Sequence, residues 1–363
     1  MRGAVLHTAG DDAKLDLRDD LSLAGPDAGE VRIRIRAAGV CHSDVSAIAG
    51  ILPTSVPAVL GHEAAGEVVE VGEGVTTVVP GDHVIISFVP ACRHCPDCLG
   101  GQPYLCMSGI GDAFAKAPFR YGETDVFRMA GCGAWADETV VPATAAIKVD
   151  PDVPFDLAAM MSCGITTGVG AALNTAKVEP GSSVVVIGAG GVGLSVVQGA
   201  KIAGAATIVA VDPLEAKHET AVRFGATHVT TPDGLAALQA ELTAGRGFDY
   251  AFEAVGRSST LTAAWDATRR GGDVVLVGAG AVDDQWQVDM FSLLFLGKNV
   301  LSSMYGTADI ERDTRRWTDL WRRGRLDLDG VISDRIRFED LNDAVDALRA
   351  GTALRQVVMF DEG

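Results

Sequence analysis

The chain of 363 residues holds seven cysteines, and four of them, Cys92, Cys95, Cys98 and Cys106, crowd into the stretch CRHCPDCLGGQPYLC. The spacing C-x2-C-x2-C, with the fourth cysteine after seven intervening residues, lets neighbouring thiolates turn inward on one ion. Pro96 and the Gly100-Gly101 pair supply the tight turns this needs. Four thiolates at tetrahedral corners leave no position for water or substrate, so a zinc held there is structural. The alternatives are an iron–sulfur cluster or simple burial. The spacing departs from the common ferredoxin patterns, and four cysteines in one short loop are hard to explain by packing.

Three further short motifs hold the candidate catalytic residues. GVCHSDVSAIAG carries Cys41, His42, Ser43 and Asp44, GHEAAGEVVEVG carries His62 and Glu63, and MMSCGITTGVGAA carries Cys163. One histidine and two thiolates from separate segments would make a three-ligand zinc site with one position open for catalysis. Each residue alone is more often part of a core than a ligand; their weight comes from occurring together.

A third constellation concerns phosphate. In VVVIGAGGVGLSVVQGAKIAG, Gly188, Gly190 and Gly193 form G-x-G-x-x-G between an apolar strand and a helix. The first glycine permits the turn, the second admits a pyrophosphate, and the third allows close helix–strand packing. The helix N-terminus attracts the phosphates. Asp212 closes the next strand, nineteen residues past Gly193, where a carboxylate grips ribose hydroxyls and repels a 2′-phosphate. NAD is therefore expected over NADP.

These groups need a scaffold, and the rest of the chain supplies one. The first third reads as strands and turns; EVRIRIRAAGV alternates apolar Val31, Ile33 and Ile35 with Arg32, Arg34 and Arg36, a strand with one wet face. From about residue 183 to 303, short apolar strands alternate with helical stretches, the pattern of right-handed crossovers and a parallel sheet. Two amphipathic helices follow, one around Trp317, Leu320 and Trp321 and one around Leu341, Ala344, Val345 and Leu348. The expected fold is α/β: a β-rich catalytic domain over 1–164 and 306–363, interrupted by a doubly wound coenzyme domain over 165–305.

The net charge of −18 disfavours nucleic acid and anionic membrane surfaces as partners. The apolar stretch 182–212 splits into strand, helix and strand and reads as a buried core, not a membrane span. A cytoplasmic protein without a disulfide framework is expected.

The motifs GHEAAGEVVEVG with GDHV, the four-cysteine loop, SCGITTG and GAGGVG together resemble those of the zinc-dependent medium-chain alcohol dehydrogenases, over essentially the whole chain. Cys2His ligation is the known open zinc site of that family. The resemblance implies a GroES-like catalytic domain and a Rossmann coenzyme domain, with the active site in the cleft between them. It implies two zinc ions per subunit, NAD, and reversible hydride transfer between an alcohol and NAD that yields an aldehyde or ketone. On its pattern, Cys41, His62 and Cys163 match the catalytic ligands, Glu63 the acid near the metal and Asp44 the carboxylate that orients the ligand histidine. Ser43 matches the hydroxyl that takes the alcohol proton. Asp212 and Lys217 match ribose contacts, Gly191 belongs to the glycine motif, and Val192 and Thr167 lie on the nicotinamide side. His42 and Arg355 match positions that meet the pyrophosphate, and Phe88 one that lines the substrate pocket.

One position departs from the pattern. Many relatives end the proton relay with a histidine where this chain has Ser46; Cys132 is assigned no family role and reads as a free thiol. Phe88, Phe114, Phe291 and Leu294 are candidates for an apolar, aromatic-friendly pocket, and MFSLLFLG suggests the buried edge of a homodimer or homotetramer. A primary alcohol, aromatic or apolar, is the expected substrate. The alternatives are a nicotinoprotein that retains its NAD and a formaldehyde dehydrogenase acting on a thiol adduct, with Arg120 as the contact for the thiol's carboxylate. From another class comes a non-catalytic zinc- and NAD-binding sensor or scaffold.

Overall fold

The computed structural model describes residues 1–360, apart from the side chains of residues 112 and 113. The chain forms two units. The first comprises Met1–Gly164, Asp309–Leu320 and the chain from Leu328 onward; the second comprises Ile165–Ala308 and Trp321–Asp327.

The first unit is organised by the long strand Glu30–Val40. Its Val31, Ile33 and Ile35 are buried, as the alternation predicts. Its wet face meets acids: Arg32 lies 3.7 Å from Glu70, and Arg34 lies 3.6 Å from Glu138. Such surface pairs contribute little stability. One edge of this strand pairs antiparallel with Glu63–Val71; the other pairs first with Glu138–Pro142 and then with Gln356–Met359. The registers set Gly39 opposite Glu63 and Val40 opposite Gln356. Three chain segments far apart in sequence thus end side by side, and the residues just beyond these pairs are Cys41, His62 and Arg355.

A fourth segment arrives on the helix Phe155–Met161, which packs on the strands Glu30–Val40 and Glu63–Val71. Past its end, Ser162 Oγ accepts the Ala64 amide at 3.1 Å and donates to the Ala159 carbonyl at 2.6 Å. That buried hydroxyl ties the turn carrying Cys163 to the strand that begins at Glu63.

In the second unit six parallel strands run in the order His228–Thr230, Thr207–Val211, Ser183–Ile187, Phe248–Glu253, Thr268–Leu276, Asn299–Ser302. The strand order reverses between Ser183–Ile187 and Phe248–Glu253, the switch point at which such sheets bind ligands. Val184, Val185 and Val186 are wholly buried, as strands covered on both faces require. The stretch 182–212 resolves into strand, helix Gly191–Ala203 and strand.

Trp321–Asp327, placed by sequence reading with the first domain, belongs to the second unit. There the Gln198 amide donates to the Asp327 carbonyl at 3.0 Å and accepts the Asp327 amide at 2.8 Å. Among the described residues no single helix is long and apolar enough to cross a membrane.

Candidate active site and dinucleotide cradle

The strand registers gather Cys41, His62, Glu63 and Cys163 so that one ligand atom from each lies within 4.8 Å of all the others. All four residues are buried. The donor set is that of a zinc site, and one atom in it calls for a cation: Glu63 Oε2 is buried with no hydrogen-bond partner among the described residues. A buried carboxylate oxygen without a partner is costly unless an ion or a proton meets it.

Asp44 holds the two halves of this cluster together. Wholly buried, it accepts the Cys41 amide on Oδ2 at 3.0 Å, and on Oδ1 the Gly61 amide at 3.2 Å and the His62 ring at Nδ1, 3.0 Å away. Binding at Nδ1 leaves Nε2 as the nitrogen that can meet an ion, which is how carboxylates orient ligand histidines. Burial works against a charged His62 ring, but the Asp44 carboxylate outweighs it and raises the ring's pKa well above its ordinary value.

The thiols divide the charge: contact with Cys163 pulls Cys41 well down, and the same contact pushes Cys163 well up. Burial pushes Glu63 up to about 7 against the pull of Arg355, whose guanidinium donates to Glu63 Oε1 at 2.7 Å. Arg355, expected at the pyrophosphate, is buried on Glu63. Ser43 Oγ lies 3.9 Å from Cys41 Sγ.

In the cysteine loop, Cys92 and Cys98 sulfurs are 4.0 Å apart, and those of Cys95 and Cys106 are 3.9 Å apart. These separations exceed a disulfide's roughly 2 Å. They match the roughly 3.8 Å between two thiolates that share a tetrahedral zinc. The amides of Cys92 and Gly109 point at the Cys106 sulfur, and that of Cys95 at the Cys92 sulfur. A hydrogen bond from the His94 backbone helps draw Cys92 down to about 6, while burial pushes Cys98 up to about 12. The cluster holds four thiolates together only if a cation joins it.

In the second unit the glycine motif forms the turn between strand and helix that the sequence predicts. A Cβ on Gly193 would lie 1.7 Å from the Gly188 carbonyl oxygen, so no side chain fits there, whereas one on Gly190 would meet nothing within 4 Å. That open space at the head of the helix Gly191–Ala203 is where a pyrophosphate fits. Asp212 is buried at the end of its strand; its Oδ2 accepts the Ala189 amide at 2.9 Å and Lys217 Nζ at 3.2 Å, and its Oδ1 the Leu214 amide at 3.0 Å. The carboxylate thus ties the glycine loop to the end of the neighbouring strand. Val192 and Gly191 open the helix, half-buried.

The other expected residues are placed as follows. Phe88 sets its ring edge-on to His62, with centroids 5.8 Å apart. His42, exposed, opens the helix His42–Ile48, and Thr167 lies half-buried in the helix Gly164–Gly170. Phe114 is exposed at the end of the helix Met107–Phe114; Phe291 and Leu294 are exposed on the helix Met290–Leu296. Arg120 is paired with Asp125 at 2.8 Å, and Cys132 is a buried free thiol. Sequence reasoning missed Ser162 and Gly39; their nearness in sequence to Cys163 and Cys41 was the signal available.

With this geometry in hand, the chain can be set beside known proteins. Residues 27–151 match the alcohol dehydrogenase GroES-like domain family, and residues 191–322 the zinc-binding dehydrogenase family. The chain is 39% identical over 360 residues to the alcohol dehydrogenase class-3 of Cereibacter sphaeroides, covering 94% of this chain and 95% of that one. It is 36% identical over 359 residues to the S-(hydroxymethyl)glutathione dehydrogenase of Paracoccus denitrificans, with the same coverage of 94% and 95%. Among solved structures, benzyl alcohol dehydrogenase from Acinetobacter calcoaceticus gives a TM-score of 0.91 at 31% identity, covering 99% of both chains. The chain belongs to the zinc-containing medium-chain alcohol dehydrogenases. It is an oxidoreductase built from a GroES-like unit and a Rossmann-type unit, as the motifs imply.

Proposed function

We propose that this enzyme oxidises primary alcohols bearing an aromatic or apolar group, using NAD, and reduces the corresponding aldehydes in reverse. The observation that carries the proposal is the Cys41–His62–Cys163 donor set, with Glu63 Oε2 unpartnered and the Ser43 hydroxyl beside it. Bound zinc supplies the Lewis acidity that makes an alcohol hydroxyl acidic near neutral pH, and bound NAD supplies the hydride acceptor. Ser43 Oγ takes the hydroxyl proton and passes it outward; with serine at position 46, water accepts it next. Asp44 fixes the His62 ring and the Cys41 backbone. In the second unit the Gly190 opening admits the pyrophosphate, and Asp212 with Lys217 takes the adenosine ribose. The four-cysteine loop holds the second zinc, in a structural role.

The aromatic preference rests on Phe88, whose ring stands against His62, and on the likeness to the benzyl alcohol enzyme. The likeness to the Paracoccus enzyme favours a second reading, the glutathione adduct of formaldehyde as substrate. In that reading the expected contact, Arg120, would have to leave Asp125. We also infer a homodimer or homotetramer assembled through the helix Met290–Leu296 and the edge strand Asn299–Ser302, which among the described residues pairs on one side.

The deciding assay follows NADH formation by absorbance with purified enzyme, NAD and a panel of primary, secondary and aromatic alcohols, and with formaldehyde plus glutathione. Turnover on benzylic alcohols that a zinc chelator abolishes supports the proposal. Turnover confined to the glutathione adduct replaces it with the second reading.

A further inference from the structure

We infer that Trp135 is a positioning residue of the Cys41–His62 metal site, setting the separation of the two chain segments that deliver those ligands. The inference rests on the metal-site reading of Cys41, His62 and Cys163.

The Trp135 side chain is fully buried, and its indole Nε1 donates to the Gly39 carbonyl at 3.1 Å, two residues before Cys41. On its other side, the Trp135 amide donates to the Leu60 carbonyl at 2.9 Å and the Ala134 amide to the Gly61 carbonyl at 2.9 Å. A Cβ on Gly61 would lie 2.5 Å from indole Cδ1, so the ring rests directly on the backbone of the residue before His62. One rigid ring therefore touches both ligand-bearing segments.

Those segments are also pressed against each other. Gly39 stands opposite Glu63, and a Cβ there would lie 2.3 Å from Glu63 Oε2 and 2.9 Å from Met160 Cε. In an interior packed this closely, a change in the ring's size or tilt has to move one segment against the other. Asp44 binds the two segments from within, through the Cys41 and Gly61 amides, and Trp135 braces them from without. Residues that hold ligands in place without touching the ion typically alter metal affinity by about 10- to 100-fold. Trp135 acts one bond further out, so about tenfold is expected.

The test uses the full-length enzyme loaded with Co2+, whose absorption reports the geometry around the ion. The difference spectrum against Cys163→Ser isolates the band of this site from that of the cysteine loop. Trp135→Phe keeps an aromatic ring and loses the N–H; its cobalt dissociation constant should rise about tenfold and its thiolate-to-cobalt band should shift. Phe338→Leu, a buried aromatic truncation elsewhere in the same unit, controls for loss of stability and should leave both unchanged. Should Trp135→Phe not accumulate, Trp135→Tyr is measured in the same two ways. Unchanged affinity and spectrum in the Trp135 variant overturn the inference, as does an equal change in Phe338→Leu. An enzyme whose cobalt spectrum is indifferent to Cys163→Ser strikes instead at the metal-site reading.

Discussion

Arg355 and Glu63, 292 positions apart in the chain, form a buried ion pair with a 2.7 Å contact beside the ligand cluster. The pair exists because the strand that starts at Gln356 and the strand that starts at Glu63 flank the same central strand. A guanidinium so engaged has to share itself if it also meets a pyrophosphate. Arg355→Met leaves Glu63 buried without its partner and should cost about 3–5 kcal/mol of stability. The double variant Glu63→Gln/Arg355→Met should recover most of that. Denaturant midpoints of the zinc-loaded proteins check both, and a single variant as stable as the parent would show the pair to be dispensable.

Ser43 is the side chain proposed to carry the proton, and its Oγ lies 3.9 Å from Cys41 Sγ. Ser43→Ala should lower kcat by about 100-fold or more, while zinc content and melting temperature stay unchanged. Ser43→Thr, which keeps the hydroxyl, should retain most of the activity. If Ser43→Ala turns over at the parental rate, the proton leaves by another route.

Asp212 offers its carboxylate at the end of the second parallel strand. Asp212→Asn removes the charge and keeps an acceptor for the Ala189 amide. The KM for NAD should rise about 10- to 100-fold, the value of a charged hydrogen bond, and turnover with NADP should become measurable. Steady-state kinetics with each coenzyme decides. Unaltered coenzyme preference would remove Asp212 from the ribose site.

The helix Met290–Leu296 presents Met290, Phe291 and Leu294 to solvent, with Phe291 stacked on Phe295 at 4.3 Å. Contiguous exposed apolar surface beside an unpaired strand edge is what a partner covers. Light scattering should give a homodimer or homotetramer for the parent and a smaller species for Phe291→Asp/Leu294→Asp. A monomeric parent ends the idea.

A pH dependence is expected away from the metal sites. Burial raises the Asp249 carboxyl, but hydrogen bonds from Arg269 at 2.6 Å and from Ser183 at 2.7 and 2.8 Å outweigh it and hold its pKa below the ordinary value of 3.8. A lowered carboxylate stabilises the fold above its unfolded pKa and loses that contribution as pH falls through the folded one. Asp249→Asn should therefore flatten the stability profile below about pH 4. Melting temperatures between neutral and acid pH read this directly, with an unchanged acid limb as the contrary result.

How far the sequence itself reveals the molecule differs from part to part. Local patterns were enough for the strand Glu30–Val40, the helix Leu341–Arg349, the glycine turn and the cysteine loop, because period and spacing are set by neighbouring residues. The gathering of Cys41, His62 and Cys163 depends on pairing registers over long distances, which periodicity does not encode; only the family resemblance brought them together. The same limit hid Trp135, Ser162 and Gly39, whose roles lie in what they touch rather than in what they are. It also left the Phe291 and Leu294 assignment to residue type alone, and residue type does not reveal which way an apolar side chain faces.

Asp44 has one further consequence. Its two oxygens bind the backbone at Cys41 and Gly61 and the ring of His62. Asp44 thus fixes the His62 ring and the backbone at Cys41 through contacts that do not pass through the metal position, a mould into which an ion fits. Filling such a mould is a matter of encounter and dehydration, not of refolding. In the cysteine loop the sulfurs themselves face one another, with amides aimed at those of Cys92 and Cys106, so an ion there is what keeps four thiolates from repelling. Within one chain, metal acts in one place as a removable tool and in the other as part of the masonry.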